Sequence, residues 1–128
     1  MKVAFTSTTG EVIDEHFGQA RTFYIWDIGP EAAEFLTTIS AVTTATDEED
    51  RIAARAGALA DCAIVYTMQI GGPAAAKLVA KKIHPMKTTT EVPVAEVVAK
   101  LQEVLKGNPP PWLRKAMNKE NATAFDED

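Results

Sequence analysis

The first third of the chain alternates short apolar segments with polar turns, a pattern typical of β-strands. Residues 2–6 combine β-branched and aromatic residues before a turn of Thr, Ser and Gly, and residues 22–28 form a similar segment that ends at Gly29-Pro30. Residues 34–43 are rich in Thr and Ile and contain no helix cap, so they predict a third strand. Because the connections are short, we expect a meander of neighbouring strands.

From residue 46 onward, helical spacing alternates with short continuous apolar runs. The first predicted helix begins at Thr46 or Asp47 and has Ile52, Ala56 and Leu59 on its apolar face. A strand at 62–67, a helix from Pro73 to about Lys81 and a strand at 83–87 follow. The last predicted helix runs from Val94 to Leu105, with one apolar stripe formed by Val94, Val97, Val98, Leu101 and Leu105. The order β-β-β-α-β-α-β-α indicates an α/β fold whose second half contributes parallel strands through right-handed crossovers.

The character of the chain changes at Gly107, which ends the last predicted helix. The segment Asn108-Pro109-Pro110-Pro111 cannot continue a helix and favours an extended polyproline conformation. We expect Trp112-Leu113 to dock back on the domain and the rest, with its acidic end, to form a mobile tail. The predicted organisation is a domain at residues 1–107 and a Pro-rich segment with an acidic tail at 108–128.

Composition excludes several classes of function. The chain has 128 residues, 46% of them hydrophobic, which is enough for one folded domain. Its net charge of −5 argues against nucleic-acid binding and against adhesion to an anionic membrane. No apolar run approaches the about 20 residues that span a bilayer, and the N-terminal apolar stretch is too short for a secretory signal. A single cysteine, Cys62, excludes an internal disulfide framework, so we expect a cytoplasmic protein.

Ligands of mixed and parallel sheets bind outside the carboxyl ends of the strands. This rule selects three loops, residues 6–20, 67–73 and 87–92. The first contains His16 next to Phe17-Gly18, where a loop between two strands can expose an imidazole to a ligand.

Three segments, in this order, carry a resemblance to a known family. They are the strand and turn that lead to His16-Phe17-Gly18, the strand Ala63-Ile64-Val65-Tyr66 leading into Ile70-Gly71-Gly72-Pro73-Ala74-Ala75, and Ile83-His84-Pro85-Met86-Lys87 with Gly107-Asn108-Pro109-Pro110-Pro111-Trp112-Leu113 further on. Over roughly residues 2–117 the chain resembles the nitrogenase iron–molybdenum cofactor biosynthesis family, and within it the NifX-type carrier proteins.

The resemblance implies a ribonuclease H-like three-layer fold with a mixed five-stranded sheet between helices. It implies a carrier, not an enzyme, that transiently binds the iron–sulfur precursor of the iron–molybdenum cofactor. The implied partners are the NifB-type enzyme that makes this precursor and the scaffold on which the cofactor is finished. We expect the carrier to be a monomer.

His16 is the leading candidate ligand of such a precursor. Its imidazole either binds iron or donates to a cluster sulfide, or it only fixes the turn by a hydrogen bond to the backbone. With one thiol and two imidazoles, the chain cannot supply the four Cys ligands of a conventional cluster. A preassembled cluster needs few anchors, and weak anchoring suits a protein that passes its cargo on.

The first two of the three selected loops, together with Arg21 directly after the first, supply the other candidate contacts. They are Ser7, Phe17, Gly18, Arg21, Met68, Gln69, Gly71 and Gly72. Glycines allow backbone N–H groups to approach an anion, and the following helix adds its N-terminal dipole. Alternatively the glycines only form a tight turn, Met68 packs, and Arg21 is solvated. His84 and Cys62 fall at the opposite end of the strands, where a structural role is expected.

Two other classes of function remain to be compared. One is an interaction or regulatory protein of nitrogenase assembly that binds partners through its Pro-rich segment and holds no cluster. The other is an enzyme. A ribonuclease H-like nuclease needs clustered carboxylates for two metal ions, and residues 2–6 carry none. A Cys-His hydrolase needs Cys62 beside an imidazole, which the strand order does not favour.

Overall fold

A computed structural model of the protein describes residues 1–119, which form seven strands and four helices. The strands are β1 (Lys2–Thr6), β2 (Val12–Ile13), β3 (Thr22–Ile28), β4 (Ala33–Ser40), β5 (Ile64–Thr67), β6 (His84–Lys87) and β7 (Val92–Pro93). The helices are α1 (Glu48–Ala58), α2 (Gly72–Ala80), α3 (Val94–Lys106) and α4 (Pro111–Met117).

Five of the strands form one mixed sheet with the order β4-β3-β1-β5-β6. β1, β3 and β4 are antiparallel neighbours, which confirms the predicted meander. β5 and β6 run parallel to β1, which confirms the parallel second half. The carboxyl ends of β1, β5 and β6 therefore share one edge of the sheet, which we call the carboxyl edge.

Helices cover both faces of this sheet because alternate strand residues point to opposite sides. On one face, Ala4 and Val65 belong to a buried cluster with residues of α1 and α2. On the other, Phe5 and Tyr66 stack with ring centroids 5.5 Å apart and belong to a cluster with α3 and α4. All members of the predicted apolar stripe of α3 are buried, so that helix packs as its spacing indicated: Val94, Val97, Val98, Leu101 and Leu105.

The structure contains a second, two-stranded sheet, formed by β2 and β7, that the sequence analysis did not predict. Val12 pairs with Pro93 and Ile13 with Val92, and two-residue strands are too short to produce a periodic signal. The third predicted strand was also too long. It ends at Ser40 because its partner in the register is Thr22, the first residue of β3.

Residues Pro111–Met117 form helix α4, whereas the sequence predicted an extended conformation through Pro111 and a mobile chain after Leu113. Pro111 opens α4, a position where its missing N–H costs no hydrogen bond. Leu113 is 1% exposed within the cluster beneath α3, and Trp112 stacks on His84, so this part of the chain is anchored to the domain as expected for Trp112-Leu113. The predicted acidic tail, residues 120–128, lies outside the described residues. No helix within residues 1–119 is long and apolar enough to cross a membrane.

Candidate functional site

Two of the three loops selected from the sequence are hydrogen-bonded to each other at the carboxyl edge. The amide of Phe17 donates to the carbonyl of Gln69 at 2.9 Å, and the amide of Met68 donates to the carbonyl of Glu15 at 3.0 Å. His16 lies between the two bonded positions of its own loop. The structure thus brings His16 beside the loop after β5. We call the surface formed by these loops, residues 6–20 and 67–73, the rim.

The third loop joins the same rim. The amide of Thr88 donates to the carbonyl of Thr67 at 2.9 Å, and the amide of Thr89 donates to the carbonyl of Met68 at 3.1 Å. Thr89 adopts a φ of 61°, a left-handed conformation that is uncommon for a β-branched residue. All three loops that the strand ends predicted are therefore in contact.

Two buried hydroxyls lie beneath the rim. The side chains of Thr6 and Thr67, both in fully buried residues, approach each other at 3.0 Å. Each also lies within hydrogen-bond distance of the Glu15 carbonyl, at 2.9 and 3.0 Å, and Thr67 Oγ1 lies 3.2 Å from the carbonyl of Gln69. The contacted carbonyls belong one to each loop, Glu15 before His16 and Gln69 after β5, so the two hydroxyls hold the loops at a fixed spacing.

A buried arginine that the sequence analysis missed closes the turn after His16. Arg55 of α1 is 8% exposed, and its Nη1 donates to the carbonyls of Phe17 at 3.0 Å and Ala20 at 2.7 Å. Burial, and secondarily Arg51, lowers the pKa of its guanidinium, which still remains charged. Within residues 1–119 no carboxylate forms a salt bridge with it. An uncompensated positive charge therefore lies under the turn.

The imidazole of His16 is exposed, and it makes no hydrogen bond within the described part of the chain. The turn is instead fixed by the His16 carbonyl, which accepts from the amides of Gln19 at 3.1 Å and Ala20 at 3.0 Å. The alternative in which the imidazole itself fixes the turn is wrong. The ring is available to a ligand.

Phe17, the neighbour of His16, points the other way. It is 1% exposed, and its ring lies 5.7 Å from that of Phe23 in the core beneath α1 and α2. Its prediction as a contact residue is therefore wrong for the side chain, because the ring is sealed from the rim. The motif divides two tasks: Phe17 anchors the loop and His16 faces solvent.

Ser7 is likewise an internal residue. It is 2% exposed, and its hydroxyl oxygen accepts from the amides of Gly10 at 2.8 Å and Thr9 at 3.2 Å. Its hydroxyl shapes the turn after β1 instead of facing a guest. Arg21, by contrast, is exposed and its side chain makes no hydrogen bond to any part of residues 1–119.

Gly71, just before α2, and Gly72, its first residue, are exposed to solvent. Gly71 caps α2 without a side-chain hydrogen bond, and neither Gly71 nor Gly72 has a crowded Cβ position or a positive φ. The same holds for Gly18, so none of the three is required by strain or by packing within residues 1–119. Because Gly71 and Gly72 are exposed, the start of α2 is open to solvent. Met68 and Gln69 are partly buried beside them.

His84 and Cys62 lie at the opposite end of the sheet, as the sequence predicted. In the parallel register, His84 pairs with Ile64 at the start of β5. Cys62 is 2% exposed, and burial raises its pKa to about 11, so its thiol is protonated at neutral pH. Residues 1–119 contain no group of three or more His, Cys, Asp or Glu side chains that could hold a metal ion. His16 is thus an exposed imidazole beside a set of loop backbone groups.

Comparison with known proteins gives this rim a family context. The sequence profile of the family described as dinitrogenase iron-molybdenum cofactor matches residues 1–104. The chain is 40% identical to a protein named NifX from Herbaspirillum seropedicae, over 100% of this chain and 90% of that protein. It is 42% identical to a protein named NifY from Azotobacter vinelandii, over 94% of this chain but only 49% of that longer protein. The apo form of the orange protein from Desulfovibrio gigas shares the fold, with a TM-score of 0.60 at 20% identity over 81% of this chain and 88% of that one.

Proposed function

Because the chain belongs to the dinitrogenase iron-molybdenum cofactor family, we propose that it takes part in assembly of the nitrogenase iron–molybdenum cofactor by binding an iron–sulfur precursor and passing it on. The observation that carries this proposal is the exposed, unbonded imidazole of His16 on a turn held by backbone bonds to the loop after β5. A neutral imidazole is a competent iron ligand.

The donor set supports carriage instead of permanent binding. The rim offers one exposed imidazole and no thiolate, because the partly buried side chain of Met68 packs against the core cluster that contains Phe5 and Tyr66 and the buried Cys62 lies elsewhere. A cluster that already holds its sulfides gains one iron–imidazole bond here, and its other iron atoms stay accessible to the next protein. A single weak anchor keeps dissociation fast enough for transfer.

The electrostatics of the rim favour an anionic guest. The Arg55 guanidinium lies directly under the Phe17–Ala20 turn, and α2 begins with its positive dipole end at the exposed Gly71 and Gly72, just after β5 ends at the same edge. Exposed Arg21 adds a second cation beside the turn. Asp14 and Glu15 precede His16 in the same loop, so the attraction for an anionic cluster comes from the Phe17–Arg21 side of the imidazole.

The finer assignments follow from the same proposal. The mixed five-stranded sheet with helices on both faces supports a ribonuclease H-like architecture. The carrier is not an enzyme, acts as a monomer in the cytoplasm, and exchanges cargo with a NifB-type enzyme and a cofactor scaffold. β1 lacks the Asp and Glu residues that a two-metal nuclease would place there.

Anaerobic loading tests the proposal. The protein is mixed with isolated precursor cluster and separated from free cluster by gel filtration, and bound iron and visible absorption are measured. We expect wild type to retain iron and His16→Ala to lose most of it. His84→Phe is the matched control, because it removes the other imidazole at the opposite end of the sheet and keeps a ring against Trp112. Equal iron retention by His16→Ala and wild type would reject His16 as the anchor.

The alternative is a protein that regulates assembly through its C-terminal segment and holds no cluster. It predicts that wild type elutes without iron while still binding an assembly partner. Truncation after Leu105 does not separate the two, because it would remove Leu113 from the core. Surface substitutions on α4, such as Arg114→Glu, leave the core intact and serve instead.

A further inference from the structure

A groove between β6, α2 and α4 lies at the opposite end of the sheet from His16. Its volume is about 620 Å³, within the range of about 300 to 1,000 Å³ that is typical of ligand sites. Val79 of α2, His84 of β6 and Trp112 and Ala116 of α4 contribute its apolar lining. None of these residues takes part in the rim at the carboxyl edge, so the groove is a separate surface.

The floor of the groove is apolar and uncharged. The rings of His84 and Trp112 stack with centroids 4.2 Å apart and an angle of 15° between their planes. Burial lowers the pKa of His84 below its ordinary value of 6.5, which keeps the imidazole neutral at pH 7. Val79 is 60% exposed on the wall, an unusual exposure for a large aliphatic side chain in a helix that packs on the sheet. The apolar surface here is open to solvent.

The walls of the groove are basic. Lys82 and Lys115 are exposed there, and Lys119 lines the same groove with its Nζ donating to the carbonyls of Cys62 at 2.6 Å and Lys81 at 3.3 Å. No Asp or Glu residue lines the groove within residues 1–119. Asp61, which does not line the groove, also acts on the Lys119 ammonium. Three lysines around an apolar floor contrast with the net charge of −5 of the whole chain.

We propose that this groove binds an acidic peptide segment of a partner protein, with one aromatic or large apolar side chain against Trp112 and Val79 and flanking carboxylates on Lys82 and Lys115. The lysines match carboxylates in sign, and the open floor matches an apolar side chain in polarity. A phosphate backbone would extend beyond the groove and meet the acidic remainder of the surface, which disfavours nucleic acid. A short segment interacts with the basic walls alone.

The test uses a fluorescently labelled pentapeptide, Glu-Asp-Phe-Asp-Glu with blocked ends, titrated with the full chain at low ionic strength. We expect saturable binding that weakens as salt is raised. The double substitution Lys82→Glu and Lys115→Glu should lower the affinity by about tenfold or more, because it reverses both contacts. The double substitution Lys87→Glu and Lys106→Glu, at two exposed lysines outside the groove, changes the net charge equally and should leave the affinity close to that of wild type. Thermal melts verify that all variants are folded.

Peptide variants decide the chemistry. Gln-Asn-Phe-Asn-Gln should lose most of the affinity, and so should Glu-Asp-Ala-Asp-Glu. Equal binding of the amide peptide, equal binding by the double lysine variant, or tighter binding of a labelled oligonucleotide than of the acidic peptide would each overturn the proposal. The chain itself carries Phe125 followed by Asp126, Glu127 and Asp128. If the peptide binds more tightly after these three acids are changed to amides, residues 125–128 compete with it for the groove. Such competition would support the proposal, because the competing residues are also an aromatic side chain followed by carboxylates.

Discussion

The guanidinium of Arg55 lies 2.7 Å from the carbonyl oxygen of Ala20, a residue 35 positions earlier in the chain. The same Nη1 atom reaches the carbonyl of Phe17 at 3.0 Å, so one side chain of α1 fixes both ends of the turn that follows His16. A charged donor to two buried carbonyls holds this turn more firmly than neutral bonds would. The exposure of His16 therefore depends on a residue that never touches the imidazole.

Replacing Arg55 by Leu should destabilise the protein and loosen the candidate site together. The change leaves two buried carbonyls without a donor, which costs about 2 to 4 kcal/mol in the free energy of unfolding. Urea denaturation measures this cost, and hydrogen exchange of the Gln19 and Ala20 amides should rise. Arg51→Leu is the control, because Arg51 is exposed on the same helix. A loss of equal size in the control would contradict a specific role for Arg55.

The paired residues His16 and Phe17 should have opposite phenotypes. Phe17→Ala removes a ring from the core, and such changes cost about 3 to 5 kcal/mol in unfolding free energy. His16→Ala removes an exposed ring without hydrogen bonds, so stability should change by less than about 0.5 kcal/mol. Cluster retention should fall in His16→Ala even though its denaturation midpoint is that of wild type.

A large loss of stability in His16→Ala would contradict this division. It would mean that the imidazole supports the fold, and the loss of iron could no longer be assigned to a missing ligand. Circular dichroism melts of the two single variants, run beside wild type, make the comparison directly. Gln19→Ala, at an exposed position of the same turn, controls for general disturbance of the loop.

Signals that are local and periodic predicted the fold well. The spacing of apolar residues in α3 indicated a buried stripe, and the strand ends indicated that the His16 loop and the loop after β5 would meet. The bond from the Phe17 amide to the Gln69 carbonyl shows that they do. A helical start at Pro111 was missed because three prolines in a row favour an extended chain, whereas only the last of them enters the helix.

The interior of the candidate site could not be predicted in the same way. Arg55 has the spacing of the apolar face of α1, three residues after Ile52 and four before Leu59, and that was the available signal. An arginine in a helix normally reaches solvent, and the carbonyls that hold this one inside lie 35 and 38 residues away. Ser7 was predicted to contact a ligand because a serine in a loop offers a hydroxyl. In the structure that hydroxyl accepts a hydrogen bond from the Gly10 amide and shapes the turn after β1.

The buried thiol of Cys62 should make stability depend on alkaline pH. Its ordinary pKa of 9.0 applies to the unfolded chain, and burial raises the folded value to about 11. A group with a raised folded pKa contributes its full stabilisation below pH 9 and loses it as the pH rises toward 11, because only the unfolded thiol ionises in that interval. The loss should reach about 2 to 3 kcal/mol.

Other groups titrate in the same pH range: Lys119 has a lowered pKa, and burial raises the pKa of Tyr66 to about 12. Comparison of wild type with Cys62→Ala separates the contribution of the thiol from theirs. Urea denaturation at pH 8, 9, 10 and 11 gives the free energy of unfolding of both proteins under reducing conditions. The wild type should lose more stability than the variant between pH 9 and 11. Parallel curves would show that the thiol ionises alike in both states.

Gly10 and Gly57 should respond to alanine with opposite signs. Gly10 has a φ of 88°, and a Cβ atom built there would lie 2.6 Å from Cε1 of Tyr24, closer than any real contact. Gly10→Ala therefore has to shift the turn after β1 or the Tyr24 ring, and both the strain and the clash oppose folding, by about 1 to 3 kcal/mol. Gly57 lies in α1 with no atom within 4 Å of a built Cβ, so Gly57→Ala should stabilise by about 0.5 to 1 kcal/mol through helix propensity.

The Gly10 substitution also tests how the candidate site is supported. The turn that contains Gly10 leads to Glu11, whose carbonyl accepts from the amide of Val94, the first residue of α3. If the turn shifts, that bond and the nearby β2–β7 pairing weaken, while the Arg55 bonds under the His16 turn are left in place. We therefore expect Gly10→Ala to lower the denaturation midpoint and raise hydrogen exchange at Val94, with cluster retention close to that of wild type. A loss of iron in Gly10→Ala as large as in His16→Ala would show that the rim depends on the β2–β7 sheet as well as on α1.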